Sequence, residues 1–221
     1  VERIGILGGT FNPPHLGHVA LARHARDELG LGRVLLMPAN IAPNKPAVRE
    51  DPGPEHRLQM CRLAVAGEPG LECSALEVER GGTSYTVDTV QAIHDTHPDA
   101  ELTLIVGADT ARTLPGWRAP ARLLDMVALA VAERDELDAE RLREGVLSAP
   151  GHRSAPGLPP APRVALLRMG RIAVSSSAVR ELIAAGRPVT ELVGEAVAGY
   201  IAEHGLYRAA GASAAGIGGA A

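Results

Sequence analysis

Apolar and polar positions along the chain alternate between two periods. Short apolar runs at 4–7 (IGIL), 34–38 (VLLMP), 102–107 (LTLIVG), 126–132 (MVALAVA) and 163–169 (RVALLRM) predict buried strands. LECSALEV (71–78) predicts a further strand. Between them the spacing becomes helical. GHVALARHARDEL places Val19, Ala22, Ala25 and Leu29 on one face, and Gly30 and Gly32 end that helix. HRLQMCRLAVA, SYTVDTVQAIHDTH, ADTARTL, APARLL, DAERLREGVL, SSSAVRELIAAG and ELVGEAVAGYIAEHG predict more helices. NIAPNKPAVREDPGP and SAPGHRSAPGLPPAP predict irregular loops. Strand and helix in alternation predict an α/β fold: a doubly wound parallel sheet with a C-terminal helical portion. The expected organisation is one domain over 1–208, then a disordered Ala/Gly tail, AAGASAAGIGGAA, over 209–221.

Composition narrows the classes. Aromatic residues are 2% of the 221, so Ala, Val, Leu and Ile must fill the core. The net charge of −4 is not that of a nucleic-acid binder, and no apolar run is long enough to span a membrane. The start VERIGILGG does not read as a signal peptide. Cys61 and Cys73 have no metal spacing and are expected as reduced, buried thiols of a cytoplasmic protein. Nothing sets an oligomeric state.

A doubly wound sheet binds ligands at the carboxyl ends of its strands. GGT, PAN, GAD and AER all fall there. The first of these opens GGTFNPPHLGH. Gly8 and Gly9 let a ligand approach the backbone, and Pro13 and Pro14 stiffen the turn. His15 and His18, three apart at a helix start, can face one side beside free N–H groups. That suits a phosphate. HxxH is also half of a metal site, but no third ligand stands near in sequence, so no protein-held metal is expected. Neither GxGxxG nor GxxxxGK[ST] is present.

GGTFNPPHLGH resembles the signature of the HxGH nucleotidyltransferase superfamily. Together with PANIAPNKP, EHRLQM, GGTSYTVDT, GADTARTLPGW, SSSAVR and GYIAEHGLYR, in that order, it resembles the bacterial nicotinate-nucleotide adenylyltransferases from Ile4 to about Arg208. The resemblance implies a Rossmann-like nucleotidyltransferase fold, ATP and nicotinate mononucleotide as substrates, and Mg2+ bridging the pyrophosphate oxygens. His15, His18, Lys45 and Arg180 would act in catalysis and supply positive charge. Gly8, Gly9, Thr10, Phe11, Gly107, Asp109, Ser175 and Ser176 would join His15, His18 and Arg180 in holding ATP. Thr83, Tyr85, Thr86, Trp117 and Arg134 would hold the mononucleotide.

Each segment also has a plainer reading. Lys45 is otherwise a solvated loop lysine, Asp109 a helix cap, Trp117 a packing anchor and SSSAVR a serine-capped helix. Ser177 and Val179 stand where the family has Thr and Ile, Asn44 where it usually has His, and R-D-E where it often has R-P-G. Other acceptors remain open, nicotinamide mononucleotide and phosphopantetheine among them. So does a non-catalytic nucleotide sensor. The shortness of the chain and the lack of KMSKS speak against an aminoacyl-tRNA synthetase.

Overall fold

The computed structural model describes residues 1–43, 48, 50–133, 164–170 and 174–208. Six strands form one sheet: β1 Arg3–Gly9, β2 Arg33–Pro38, β3 Leu71–Cys73, β4 Glu101–Gly107, β5 Ala128–Glu133 and β6 Val164–Arg168. Their order is β3-β2-β1-β4-β5-β6, and every neighbouring pair is parallel. The helices are α1 Leu16–Leu29, α2 Pro54–Val65, α3 Leu76–Arg80, α4 Thr86–Thr96, α5 Ala108–Thr113, α6 Pro120–Met126, α7 Ser176–Ala184, α8 Thr190–Val193 and α9 Glu195–Glu203. A 3-10 turn, Leu114–Gly116, follows α5.

The strands are apolar almost throughout because both faces of the sheet are covered. Ile4, Ile6, Leu35, Met37, Leu104, Val106, Leu129 and Val131 face a core shared with α4 and α6. Leu7, Val34, Leu36, Ile105, Ala130 and Leu167 face the opposite core, with Val19, Ala22 and Ala25 of α1 and Cys61 of α2. A third cluster joins Met60 of α2 to Val179, Val189, Val193, Val197, Ile201 and Tyr207. It docks the C-terminal helices on α2, and so fixes where α7 begins. Among the described residues no helix is long and apolar enough to cross a membrane.

Three sequence expectations change. LECSALEV is strand only to Cys73: the Ser74 hydroxyl accepts from Leu76 N at 3.3 Å, and LEVER coils into α3. The terminal helix breaks at Gly194, whose φ of 83° is a glycine conformation, into α8 and α9. Cys73 is only partly buried, whereas Cys61 is fully so; both are free thiols. The expected DAERLREGVL helix, the whole of the second loop and the Ala/Gly tail lie outside the described residues.

Candidate active site

Strand order reverses between β1 and β4, so the loops leaving these neighbours diverge to opposite faces and open a crevice. A cleft of about 1610 Å³ occupies this edge. The residues after β1, β2 and β4 and the start of α7 line it.

The β1–α1 loop is tightly packed. Phe11 is buried with φ at 52°, and its ring lies 3.1 Å from where a Cβ on Gly9 would stand, so a side chain at Gly9 would have to displace the ring. A Cβ on Gly8 would meet no protein atom within 4 Å, so its face is open to a ligand. The Asn12–Pro13 bond is cis. His15 is the N-cap of α1, and its N–H donates to Nδ1 of His18 at 3.2 Å. An accepting Nδ1 leaves the proton of a neutral His18 on Nε2. The two rings stack with centroids 3.6 Å apart, and Phe11 packs edge-on against His18 at 4.9 Å.

Burial pushes the His15 pKa down to about 4, a shift only partly opposed by its backbone hydrogen bond. Burial thus favours the neutral form of His15 at pH 7. An anion placed against it would favour the protonated form. Its Nδ1, the Thr10 hydroxyl and both amide atoms of Asn12 are buried without a hydrogen-bond partner among the described residues. Asn12 lies inside the motif but carried no role in the sequence reading.

The second wall is α7. Ser175 caps it, accepting from Ala178 N at 3.2 Å. Ser176 instead ties the helix to the first loop: its hydroxyl donates to the Pro13 carbonyl at 2.8 Å. Arg180 donates from Nη1 to the Asn12 carbonyl at 2.7 Å and from Nη2 to Ser177 Oγ at 3.3 Å. The start of α1 and the start of α7 thus converge, and neither has an acid in its first turn. A Cβ at Gly17 would stand 3.0 Å from both His15 Nδ1 and Val174 Cγ1, so any side chain there would press on both.

Beneath this wall lies Arg57, which sequence reasoning missed. It is 2% exposed. Its guanidinium donates to the carbonyls of Thr10 at 2.8 Å, Ala39 at 2.6 Å and Asn40 at 2.9 Å, and to Asp51 at 3.0 Å. One buried side chain therefore holds the ends of β1 and β2 together. Its sequence signal was an arginine inside EHRLQM, on a face otherwise built of Leu58 and Cys61.

The other end of the cleft is built on α4. Tyr85 is its N-cap, and the amides of Thr86 and Val87 open it without intrahelical partners. Ser84 and Glu77 lie at its base. Ser84 Oγ accepts from Asn40 N at 2.9 Å and hydrogen-bonds Glu77. Thr89 donates to Glu77 at 2.6 Å and accepts from Arg80 at 2.9 Å. Burial raises the Glu77 pKa despite these bonds. Thr83 does not line the cleft. It pairs with Ile41 in an isolated bridge, and Ser84 takes the inward position.

Trp117 lines the cleft and packs on the core, its Nε1 donating to Thr113 Oγ1 at 2.9 Å. Gly107, not Asp109, caps α5. The Asp109 side chain is 83% exposed at the cleft and pairs with Arg112 at 2.8 Å. Lys45, its neighbour Asn44, and Arg134 lie outside the described residues.

Among the described residues no three His, Cys, Asp or Glu side chains gather as a metal site. The side chains at the α1–α7 wall are histidine, serine and arginine. These fit a phosphate better than a resident divalent cation, so a metal there would be held by the nucleotide's own oxygens.

A family model described as cytidylyltransferase-like matches residues 6–182. A probable nicotinate-nucleotide adenylyltransferase of Roseiflexus sp. is 42% identical over 207 residues, covering 93% of this chain and 98% of that protein. A probable nicotinate-nucleotide adenylyltransferase of Symbiobacterium thermophilum is 40% identical, covering 94% and 96%. The fold resembles that of the Plasmodium falciparum nicotinic acid mononucleotide adenylyltransferase solved with NaAD. The TM-score is 0.73 at 16% identity, covering 94% of this chain and 98% of that one.

Proposed function

The chain belongs to the nicotinate-nucleotide adenylyltransferase family, and from that premise we propose that it transfers the adenylyl group of ATP to nicotinate mononucleotide. The products are deamido-NAD and pyrophosphate. The observation that carries this reading is the convergence of His15, His18 and Arg180 with two acid-free helix starts on one edge of the sheet.

The acceptor's phosphate oxygen forms a bond to the α-phosphorus of ATP, and the bond to the β-phosphate oxygen breaks. A phosphate monoester has its second pKa at about 6, so near pH 7 it attacks without a general base. The protein's work is alignment and neutralisation of charge. His18 and His15 donate hydrogen bonds to the α-phosphate and the departing pyrophosphate. Arg180 and the first amides of α7 hold the β- and γ-phosphates, and Lys45 adds a cation from the loop after β2. Ser175 caps α7 and Ser176 fixes it against the first loop. Gly8, Gly9, Thr10 and Phe11 form the adenosine side, with Gly107 and Asp109 at a ribose. ATP enters as its magnesium complex, so the ion comes with the substrate.

At the other end, Tyr85 and the amides of Thr86 and Val87 hold the nicotinate carboxylate. Trp117 stacks on the pyridine ring, and Arg134 reaches the mononucleotide phosphate. Residues 1–208 act as one catalytic unit; the third core, which ties α7–α9 to α2, supports this. Free Cys61 and Cys73 fit a cytoplasmic setting.

The test is pyrophosphate release with ATP and magnesium against nicotinate mononucleotide, nicotinamide mononucleotide and phosphopantetheine in parallel. Release chiefly with nicotinate mononucleotide is expected. Release chiefly with another acceptor discards the assignments at 84–87 and 117, and ATP binding without release from any acceptor points to a sensor.

A further inference from the structure

The first turn of α4 contains an acid, Asp88, beside the amides that face the cleft. A carboxylate there opposes binding of an anionic ligand at this helix start. The chain answers it with Arg118. This side chain comes from the residue after Trp117, crosses to α4 and pairs with Asp88 at 3.2 Å. Its guanidinium also lies over the Tyr85 ring, 4.6 Å from the centroid. Asp88 on one side and the Tyr85 ring on the other therefore hold the cation beside the N-cap. Arg118 lines the cleft with Tyr85, Thr86 and Trp117, and its side chain is 57% exposed. Arg80 instead bonds Thr89, whose hydroxyl donates to Glu77.

We propose that Arg118 is a specificity-determining residue: it offsets Asp88 and so leaves the positive end of α4 unopposed at the pyridine substituent, so that the acid is preferred over the amide. The assignment rests on the functional reading above and deepens it. A neutral amide gains little from the cation, while a carboxylate gains directly. Tyr85 carries the guanidinium on its ring face, so ring and cation act as one wall.

The experiment compares kcat/KM for nicotinate and nicotinamide mononucleotides in the wild type, Arg118→Gln, Arg118→Lys and Asp88→Asn. Arg118→Gln is expected to lower the acid-to-amide ratio about fivefold, the scale of a half-exposed charge. The loss falls on KM for the acid, and KM for ATP stays within twofold. Arg118→Lys restores most of the ratio. Asp88→Asn, which removes the opposing acid without touching the arginine, raises it. Raising salt narrows the wild-type preference but not that of Arg118→Gln. A wild type that prefers the acid, with Arg118→Gln losing equally on both acceptors, overturns this assignment alone. A wild type that uses neither mononucleotide overturns the functional reading and this assignment with it.

Discussion

The two ends of the cleft are both built from helix starts, yet they treat charge differently. At one end α1 and α7 present their amides with no acid in the first turn. Side chains of α7 lock it to the loop that leads into α1: Ser176 to the Pro13 carbonyl and Arg180 to the Asn12 carbonyl. At the other end α4 and α5 each carry an acid in the first turn, and each acid has an arginine partner: Asp88 with Arg118, and Asp109 with Arg112. A polyphosphate needs all the positive potential that a site can supply. A ring with one carboxylate, or a neutral ribose, needs local charge set against a nearly balanced background. The same device, a helix N-terminus, is tuned by whether an acid stands beside it.

The largest expected break in this division is His18→Ala. Loss of one positioned donor at developing charge lowers kcat about 100- to 1000-fold. The acid-to-amide ratio should not change, because His18 belongs to the phosphate end. Steady-state kinetics with both acceptors check this, and a changed ratio would mean that the ends are not separate.

A smaller effect is expected from Gly17→Ala. Its added methyl would press on His15 and Val174, 3.0 Å away, and part α1 from α7. Displacement of reacting groups should reduce kcat roughly 10- to 100-fold. Overpacking should cost about 1–3 kcal/mol, read as a lower melting temperature. Binding of nicotinate mononucleotide should be unaffected.

A third effect concerns acid stability and leaves catalysis aside. The folded pKa of His15, about 4, lies below the ordinary 6.5, so the unfolded chain binds more protons between these values. The stability tied to neutral His15 is complete above pH 6.5 and is lost as pH falls toward 4, by at most about 3 kcal/mol. In His15→Asn that part of the acid limb should flatten. Melting curves from pH 7 to 4 without ligand test it, and identical limbs in the two proteins would contradict a buried neutral imidazole.

What was legible in the sequence follows from how local each cause is. Gly-Gly after an apolar strand, then Pro-Pro and a helical period, are all local, and β1, its loop and α1 stand where the pattern put them. An apolar stretch such as LECSALEV has no such punctuation; the turn at Ser74 that ends the strand shows only in the fold. Thr83 and Ser84 are neighbours with similar side chains, and the choice between them is made by pairing with Ile41, some forty residues away. Arg57 gathers carbonyls from two separate strand ends, which no periodicity reports.

The division of the cleft is tested most directly by equilibrium binding of ATP and of nicotinate mononucleotide, each titrated separately into the wild type, Arg180→Ala and Arg118→Gln. The account predicts a crossed result. Arg180→Ala weakens ATP about tenfold or more and leaves the mononucleotide within about twofold, whereas Arg118→Gln weakens the mononucleotide and leaves ATP unchanged. If either variant weakened both ligands by the same factor, the two ends would be one electrostatic site and the account would be wrong.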